Sequence, residues 1–443
     1  MKLSERDTSI VQLGWPALIT ALIVPSYTLA DTAIVGRRLG TVSLGGLALA
    51  SAVLTVAFTV FNFLQWATTS RVAFLTGRKD PAGAAGYAAQ GLWLSVGIGI
   101  PVALLLTLGA GPLTTMMGGK GKVQHAAITY LHIGGWGMPL VLIALVGNAY
   151  FRGLSDMKTP LWIVGASNVL NVVLEILFVY VFHWGISGSA AGTLIAQALA
   201  AGWLFALMAR NFARSGAGLR PIRSEMAELM KVARYLVVRT AALNAAPAIA
   251  TAVAAHVNTT TLDAQQICYQ VWIFLAVLFS GLSVPAQSIV GTLLGEGRDE
   301  EARAYAHRML VIGSWLGVFV GGAVLATSFV VPRIFSTNPA VIHAGTEGLL
   351  IAGLLQVPNA SLWVLDGVLM GAGEYRFMQY STVGGLVAFL PVALVVLHWH
   401  SLGIVGLWVG MGIWAIGRMS VNAYRYLHRD WSSTTELAVA TTG

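Results

Sequence analysis

The chain has 443 residues, of which 56% are hydrophobic and only 10% are charged, and its formal net charge is +8. Because soluble globular domains carry about 25% charged residues, this composition predicts a protein with several membrane-spanning helices. The basic surplus does not indicate nucleic-acid binding, since Lys and Arg are spread through short polar breaks rather than clustered in one domain. The single cysteine, Cys268, excludes an intramolecular disulfide and a cysteine-based metal cluster.

Long apolar runs separated by short polar breaks predict twelve membrane-spanning helices, numbered here as spans 1 to 12, since about 20 apolar residues are enough to cross a bilayer as a helix. They lie at residues 11–36, 44–75, 87–108, 124–150, 160–183, 187–212, 228–257, 264–293, 303–329, 341–369, 377–398 and 402–427. With this division, 21 of the 26 Lys and Arg residues fall on the side of the two termini. The asymmetry predicts cytoplasmic termini and a multi-pass protein of the cell (inner) membrane.

The two halves of the chain resemble each other at one constant offset in numbering, called the repeat offset below. It pairs His125 with His343, Gly135 with Gly353, Gly153 with Gly371, and Gly185 with Gly403. Six spans per half give both repeats the same orientation, related by a pseudo-two-fold axis along the membrane normal, which is a transporter architecture. We therefore predict an all-α polytopic membrane protein with an amino-terminal six-helix lobe (1–212), a cytoplasmic linker (213–227), a carboxy-terminal six-helix lobe (228–427) and a cytoplasmic tail (428–443).

Two acidic residues lie deep inside predicted spans, Asp31 in span 1 and Glu175 in span 5. A charge at such a depth costs about 3 kcal/mol on insertion scales, so it indicates a functional residue. Counted from Gly14 and from Pro160, the two acids lie about 26 and 22 Å along helices that leave the same side. Two carboxylates are therefore expected at similar heights in the amino-terminal lobe, with no Lys or Arg at that depth.

Without a cationic partner, burial and a neighbouring carboxylate both favour the protonated form of each acid. Such a pair can act as a proton relay that is ionised when open to water and neutral when closed. The alternative is a permanently protonated acid that only donates a hydrogen bond. Tyr27 shares a helical face with Asp31, as Asn168 and Asn171 do with Glu175. Tyr27 and Asn168 are candidate substrate contacts, although interhelical hydrogen bonding also explains the two asparagines.

Other polar residues of the spans carry weaker signals. Asp366 lies near the cytoplasmic end of span 10, where we expect it to pair structurally with the following loop. His398 and His400 stand alone in an outer loop, and neither a His/Asp/Glu cluster nor an activated Ser or Cys indicates an enzyme. We therefore expect neither a catalytic residue nor a cofactor.

Four segments together resemble the multidrug and toxic compound extrusion (MATE) transporters, and within them the DinF-like branch. They are LADTAIVGRRLG at 29–40, NFLQWATTSRVA at 62–73, NVLNVVLEILFVYVFHWGISGSAAGT at 168–193 and LDGVLMGAG at 365–373. The resemblance covers essentially the whole chain. It implies twelve helices in two lobes, which export organic cations or other amphipathic compounds against an inward flow of H+ or Na+.

The resemblance also implies roles for individual residues. The family's principal coupling aspartate matches Asp31, and its span-6 threonine matches Thr193. The N-x-x-x-D pair of span 5 matches Asn171 and Glu175, so a glutamate stands here in place of the aspartate. Span 7 carries no carboxylate from about Met230 to Val257, which favours coupling in the amino-terminal lobe. The same four residues could supply the oxygen ligands of a small cation, so Na+ is the alternative to H+.

A flippase of lipid-linked precursors is the nearest alternative, because it shares the two-lobe architecture. It would need a cationic cavity for pyrophosphate, and the spans offer little basic charge. We therefore predict a secondary antiporter that works by alternating access, with protonation of Asp31 as the coupling step. It would bind small cationic or amphipathic molecules and membrane lipid, bind no nucleic acid, and function as a monomer.

Overall fold

The computed structural model describes residues 5–428 and residue 431, so most of the predicted tail at 428–443 lies outside the described residues. The described part is almost entirely helical and contains no strand. Its α-helices are α1 (Glu5–Phe61), α2 (Phe63–Gly77), α3 (Pro81–Leu108), α4 (Ala110–Met116), α5 (Gly121–Gly134), α6 (Gly137–Gly153), α7 (Lys158–Ile176), α8 (Gly185–Ser215), α9 (Arg223–Val257), α10 (Thr259–Gly295), α11 (Asp299–Thr327), α12 (Val331–Phe335), α13 (Pro339–Leu354), α14 (Gln356–Gly371), α15 (Tyr375–His398) and α16 (Gly403–His428).

These helices form the twelve predicted spans. Within the described residues, nine helical stretches are long and apolar enough to cross a membrane, and α5–α6 and α13–α14 add two bent spans. The first of the nine stretches, residues 6–77, contains two spans, because Gly40 leaves helical geometry with φ 78° and ψ −176°. The prediction of an all-α membrane protein with two six-helix halves is confirmed.

Helix boundaries recur at the repeat offset found in the sequence. The matching starts are Pro81 of α3 with Asp299 of α11, Gly121 of α5 with Pro339 of α13, and Gly185 of α8 with Gly403 of α16. The joint between spans 1 and 2 at Gly40 corresponds to Asn258, the single non-helical residue between α9 and α10. One backbone plan is therefore used twice along the described chain.

The sequence predicts spans 4 and 10 as one helical span each and locates no bend in either of them, whereas the structure bends both. Span 4 bends by 53° between α5 and α6, and span 10 bends by 51° between α13 and α14. The two bends fall at nearly equivalent positions of the repeat. At Gly135 an added Cβ would lie 2.7 Å from the Leu131 carbonyl oxygen, so a larger residue would not fit this turn. The apolar pattern runs through both bends, which is why it does not reveal them.

Contacts divide the chain into two compact units, each of which is described by itself. The amino-terminal unit is Ile19–Ala233, and the carboxy-terminal unit combines Met1–Leu18 with Arg234–Gly443. The division falls inside spans 1 and 7 and not in the segment 213–227. The lobe boundaries inferred from the sequence stay predictions.

The core of the carboxy-terminal unit is apolar and tightly packed. Phe279, Phe389 and Trp408 are completely buried there, on spans 8, 11 and 12. Trp408 meets Trp272 edge-on at 5.6 Å between ring centroids, and its indole N–H donates to Gln265 Oε1 at 3.0 Å. Burial of such large rings stabilises the unit mainly through the hydrophobic effect.

Candidate functional site

Close packing of α8 on α7 and on the helical segment that continues it, Leu177–Val181, builds one wall of the candidate site. An added Cβ at Gly192 would lie 3.3 Å from the Glu175 backbone nitrogen, and one at Gly188 would lie 3.0 Å from the Phe178 Cβ. These glycines are one helical turn apart, so they let the two helices approach along a shared stripe. The residues that follow them, Ser189 and Thr193, therefore come close to span 5.

Hydrogen bonds join spans 1, 5 and 6 at this place. The Asn171 side-chain N–H donates to Thr193 Oγ1 at 3.3 Å, and the Tyr27 and Thr193 hydroxyls lie 3.3 Å apart. Ser189 Oγ donates to Asp31 Oδ1 at 3.2 Å. The structure thus brings together Tyr27, Asp31, Asn171 and Thr193, which the sequence singled out, and adds Ser189.

The two carboxyl groups lie side by side with few hydrogen-bond donors. Asp31 is 5% exposed and Glu175 is completely buried. Glu175 faces Asp31 and Ser189, yet neither of its carboxylate oxygens forms a hydrogen bond, and the same is true of Asn171 Oδ1. A buried acceptor without a donor costs about 1–3 kcal/mol. This set of oxygens therefore fits a bound proton or another small cation.

A cavity of about 420 Å³ in the amino-terminal unit opens beside the pair. Asp31, Tyr27, Asn171 and Thr193 contribute to its lining, whereas Glu175 is enclosed by protein. Asn168 also lines this cavity, but its side-chain N–H donates to the Val164 carbonyl of its own helix at 2.7 Å. Asn168 is therefore placed for contact with a bound molecule and not as part of the hydrogen-bond network.

A second buried charge cluster lies in the carboxy-terminal unit, around Asp366. Its Oδ2 accepts from Arg239 Nη2 at 2.6 Å and from Arg418 Nη2 at 3.0 Å. Its Oδ1 accepts from Asn422 Nδ2 at 2.9 Å, and Asn422 Oδ1 accepts from Ser381 Oγ at 2.6 Å. All five side chains belong to buried residues.

Asp366 is paired as a structural residue, as expected, but the expectation that its partner comes from the following loop is wrong. Its partners come from spans 7 and 12, inside the helical segments. The charge count included Arg239 and Arg418 on the cytoplasmic side, although both lie within predicted spans. Once both guanidinium groups are buried, desolvation strongly favours pairing them with the nearest carboxylate.

Ser189 is the functional candidate that the sequence interpretation missed. Its signal is its spacing, since it precedes Thr193 by one helical turn and so lies on the same helical face. A serine in a membrane span is common enough that this spacing alone does not mark it. Only the contact with Asp31 does so.

Two repeated six-span halves, with a buried carboxylate pair beside a cavity, define a multi-pass membrane transporter. A family model described as MatE matches residues 16–177 and 236–395, which is most of the chain. The protein therefore belongs to the MATE family of transporters, as the sequence motifs had indicated, and it is not an enzyme.

Individual relatives agree with this assignment. Protein DETOXIFICATION 44, chloroplastic, of Arabidopsis thaliana is 28% identical over 428 residues, which cover 94% of this chain and 81% of the relative. DNA damage-inducible protein F of Escherichia coli (strain K12) is 25% identical over 444 residues, which cover 98% and 95%. A crystal structure of MATE in the bent conformation has a TM-score of 0.87 at 21% identity, covers 99% of this chain and 97% of its own, and shares the fold.

Proposed function

We propose that the protein is a secondary antiporter that exports small cationic or amphipathic compounds in exchange for H+, by alternating access. The observation that carries this proposal is the set of buried acceptor oxygens on Glu175 and Asn171 next to Asp31. A proton on either carboxyl group would supply the donor that this set lacks. Protonation of Asp31 is the coupling step, with Glu175 as its partner.

Competition at Asp31 explains how a proton could drive export. Asp31 lines the cavity, so its ionised form can attract the positive charge of a bound compound. Protonation removes that attraction, and it also removes the free-energy cost of burying a charged carboxylate when the cavity closes to water. Proton and substrate then bind the same group in alternation, and by linkage each weakens the binding of the other.

An apolar groove on the same unit supports the substrate class. Its volume is about 1090 Å³, and Ile23, Trp162 and Val173 are among its mostly apolar lining residues. Tyr27 and Asn168 line both this groove and the cavity that contains Asp31. An amphipathic compound could therefore place its apolar body in the groove and its charged end toward Asp31.

Sodium is the alternative coupling ion. Asp31, Asn171, Glu175 and Thr193 carry carboxylate, amide and hydroxyl oxygens, which are ligands that hard cations accept. The placement of both termini in the cytoplasm, in the cell (inner) membrane, and function as a monomer belong to the same proposal. The strong asymmetry of Lys and Arg between the two sides supports the orientation.

The test is uptake of a fluorescent organic cation into inverted membrane vesicles, with the H+ and Na+ gradients collapsed separately. We expect uptake to stop when the H+ gradient collapses and to continue when only the Na+ gradient does. Asp31→Asn should reduce uptake to the background. Glu347→Gln, which changes an exposed acid next to His343, is the matched control and should transport normally. Normal transport by Asp31→Asn would exclude the coupling role, and dependence on the Na+ gradient alone would assign the ion as Na+.

A further inference from the structure

The start of span 1 is held by a two-pronged ion pair. Arg308 of α11 donates through Nε to Asp7 Oδ1 at 2.6 Å and through Nη2 to Asp7 Oδ2 at 2.9 Å. Farther along the same helix, an added Cβ at Gly14 would lie 3.1 Å from the Gly281 carbonyl oxygen, so the packing there is close as well. A paired guanidinium and carboxylate fix both position and direction, which a single contact does not. We call this contact the Asp7–Arg308 clasp.

The start of span 7 is held from the corresponding helix, α3, by a different chemistry. The Gln90 side chain of α3 donates to the Arg220 carbonyl at 3.0 Å and accepts from the Ile222 backbone N–H at 2.9 Å. The Trp93 indole N–H donates to the Leu219 carbonyl at 2.8 Å. These residues hold the backbone immediately before α9, and we call them the Gln90 clasp. The segment 213–227, predicted as a linker, is thus attached along 219–222.

The two gripping side chains occupy the same place in the repeat, while Asp7 corresponds to Glu225, a few residues beyond the backbone that Gln90 holds. Gln90 on α3 and Arg308 on α11 are separated by the repeat offset. Each holds the chain where the first span of the opposite sequence half begins. Gln90 is completely buried and Asp7 is 7% exposed, whereas the Arg308 side chain is 42% exposed and reaches in from the surface. The Gln90 amide binds backbone groups, whereas the Arg308 guanidinium binds a carboxylate. The two contacts differ in chemistry and have in common only the position of the gripping residue in the repeat, which points to a common role there.

We propose that Arg308 and Gln90 are positioning residues that keep the starts of spans 1 and 7 fixed throughout the transport cycle. The movement of span 1 would then be confined to the part beyond Leu18, where the chain passes into the amino-terminal unit and reaches Asp31. A shift of span 1 by one helical turn, about 5.4 Å, would break the Asp7–Arg308 clasp. This inference rests on the proposed alternating-access function, because fixing the start of a helix affects transport only if the rest of that helix moves.

Cross-linking tests the proposal directly. Cys268 is the one cysteine of the chain, so Cys268→Ser gives a cysteine-free background. In this background we expect Asp7→Cys with Arg308→Cys to transport about three- to tenfold more slowly, through loss of the ion pair. Joining the two cysteines with a short bifunctional thiol reagent should restore the rate. Full transport before joining would show that the clasp is dispensable, and loss of the residual transport after joining would show that it must open. Either result overturns the proposal.

Two further variants separate positioning from folding. The charge swap Asp7→Arg with Arg308→Asp keeps the net charge and the pair, and should transport faster than either single change. A swap no better than the single changes would contradict the pairwise role. Gln90→Leu should slow transport, whereas Gln90→Glu, which keeps the acceptor for the Ile222 N–H, should retain more. Equal rates for these two variants would contradict the second clasp. If the Cys268→Ser background shows no H+-driven transport, the proposed function fails and not the clasp.

Discussion

The same backbone position carries opposite chemistry in the two halves of the molecule. In the amino-terminal unit the candidate residues are polar or acidic, whereas their counterparts at the repeat offset are apolar. The pairs are Asp31 with Ile249, Asn171 with Phe389, Glu175 with Ala393, and Thr193 with Met411. The carboxy-terminal residues of these pairs belong to, or pack against, the apolar core described above. The place proposed to receive a proton in one half is therefore filled by hydrocarbon in the other.

The charged cluster of the carboxy-terminal unit shows the reverse. Asp366 corresponds to Asn148, while its partners Arg239 and Arg418 correspond to Ala21 and Ala200. An acid held between two guanidinium groups already has its cations, so it is fixed as part of the structure. An acid without them is available to a cation that comes and goes. One repeated scaffold therefore carries an acid paired with two cations in one half and an acid without a cationic partner in the other, and the second is the one we propose for coupling.

The largest expected effect comes from Asp366→Ala, which removes the carboxylate shared by Arg239 and Arg418. Breaking a buried ion pair from one side costs about 3–5 kcal/mol of unfolding free energy. Thermal unfolding of the purified protein in detergent measures this loss. The matched control adds Arg239→Met and Arg418→Met to Asp366→Ala, and should recover most of the stability. An unchanged unfolding temperature for Asp366→Ala would show that this ion-pair cluster does not stabilise the fold.

Glu175→Leu is expected to act in the opposite direction. It removes a buried carboxyl group whose oxygens have no hydrogen-bond donor, so unfolding free energy should stay level or rise by about 1–3 kcal/mol. Transport should nevertheless be lost, because Asp31 loses its partner. The same unfolding assay, combined with vesicle uptake, measures both. A destabilisation as large as that of Asp366→Ala would mean that Glu175 is a structural residue too.

The smallest effects come from two buried serines that donate to the two clusters. Ser381→Ala leaves Asn422 Oδ1 without its donor and should cost about 1 kcal/mol of stability with little change in transport. Ser189→Ala removes the donor to Asp31 and should slow transport by about tenfold. Its unfolding temperature should stay almost unchanged, because Asp31 lines the cavity, where water can replace the lost hydroxyl. Thermal unfolding and vesicle uptake, measured on both variants, test whether the two serines affect different properties. If both variants lost only stability, or both lost only transport, the proposed difference between the two clusters would be contradicted.

The spans, the repeat and the deep acids could be predicted because each depends on local pattern. A long apolar run needs no partner to be recognised, and a carboxylate within it is conspicuous. The bends of spans 4 and 10 could not be predicted, since the apolar pattern continues through both of them. The partners of Asp366 were missed because a count of charges by side says nothing about which face of a helix Arg239 or Arg418 occupies. Long-range contacts of this kind depend on how helices pack.

Gly40 and Asn258 are each the single non-helical residue that joins two spans, so these joints leave little room for a change in chain length. An inserted residue that such a short joint does not absorb would extend the flanking helix and rotate the rest of that helix by about 100° around its axis. Its buried face would then point away from the core, and every contact along the span would be lost together. The segments between α4 and α5 and between α12 and α13 contain several non-helical residues and could absorb such a change. Insertions and deletions are therefore expected to accumulate in those segments and to be purged at Gly40 and Asn258.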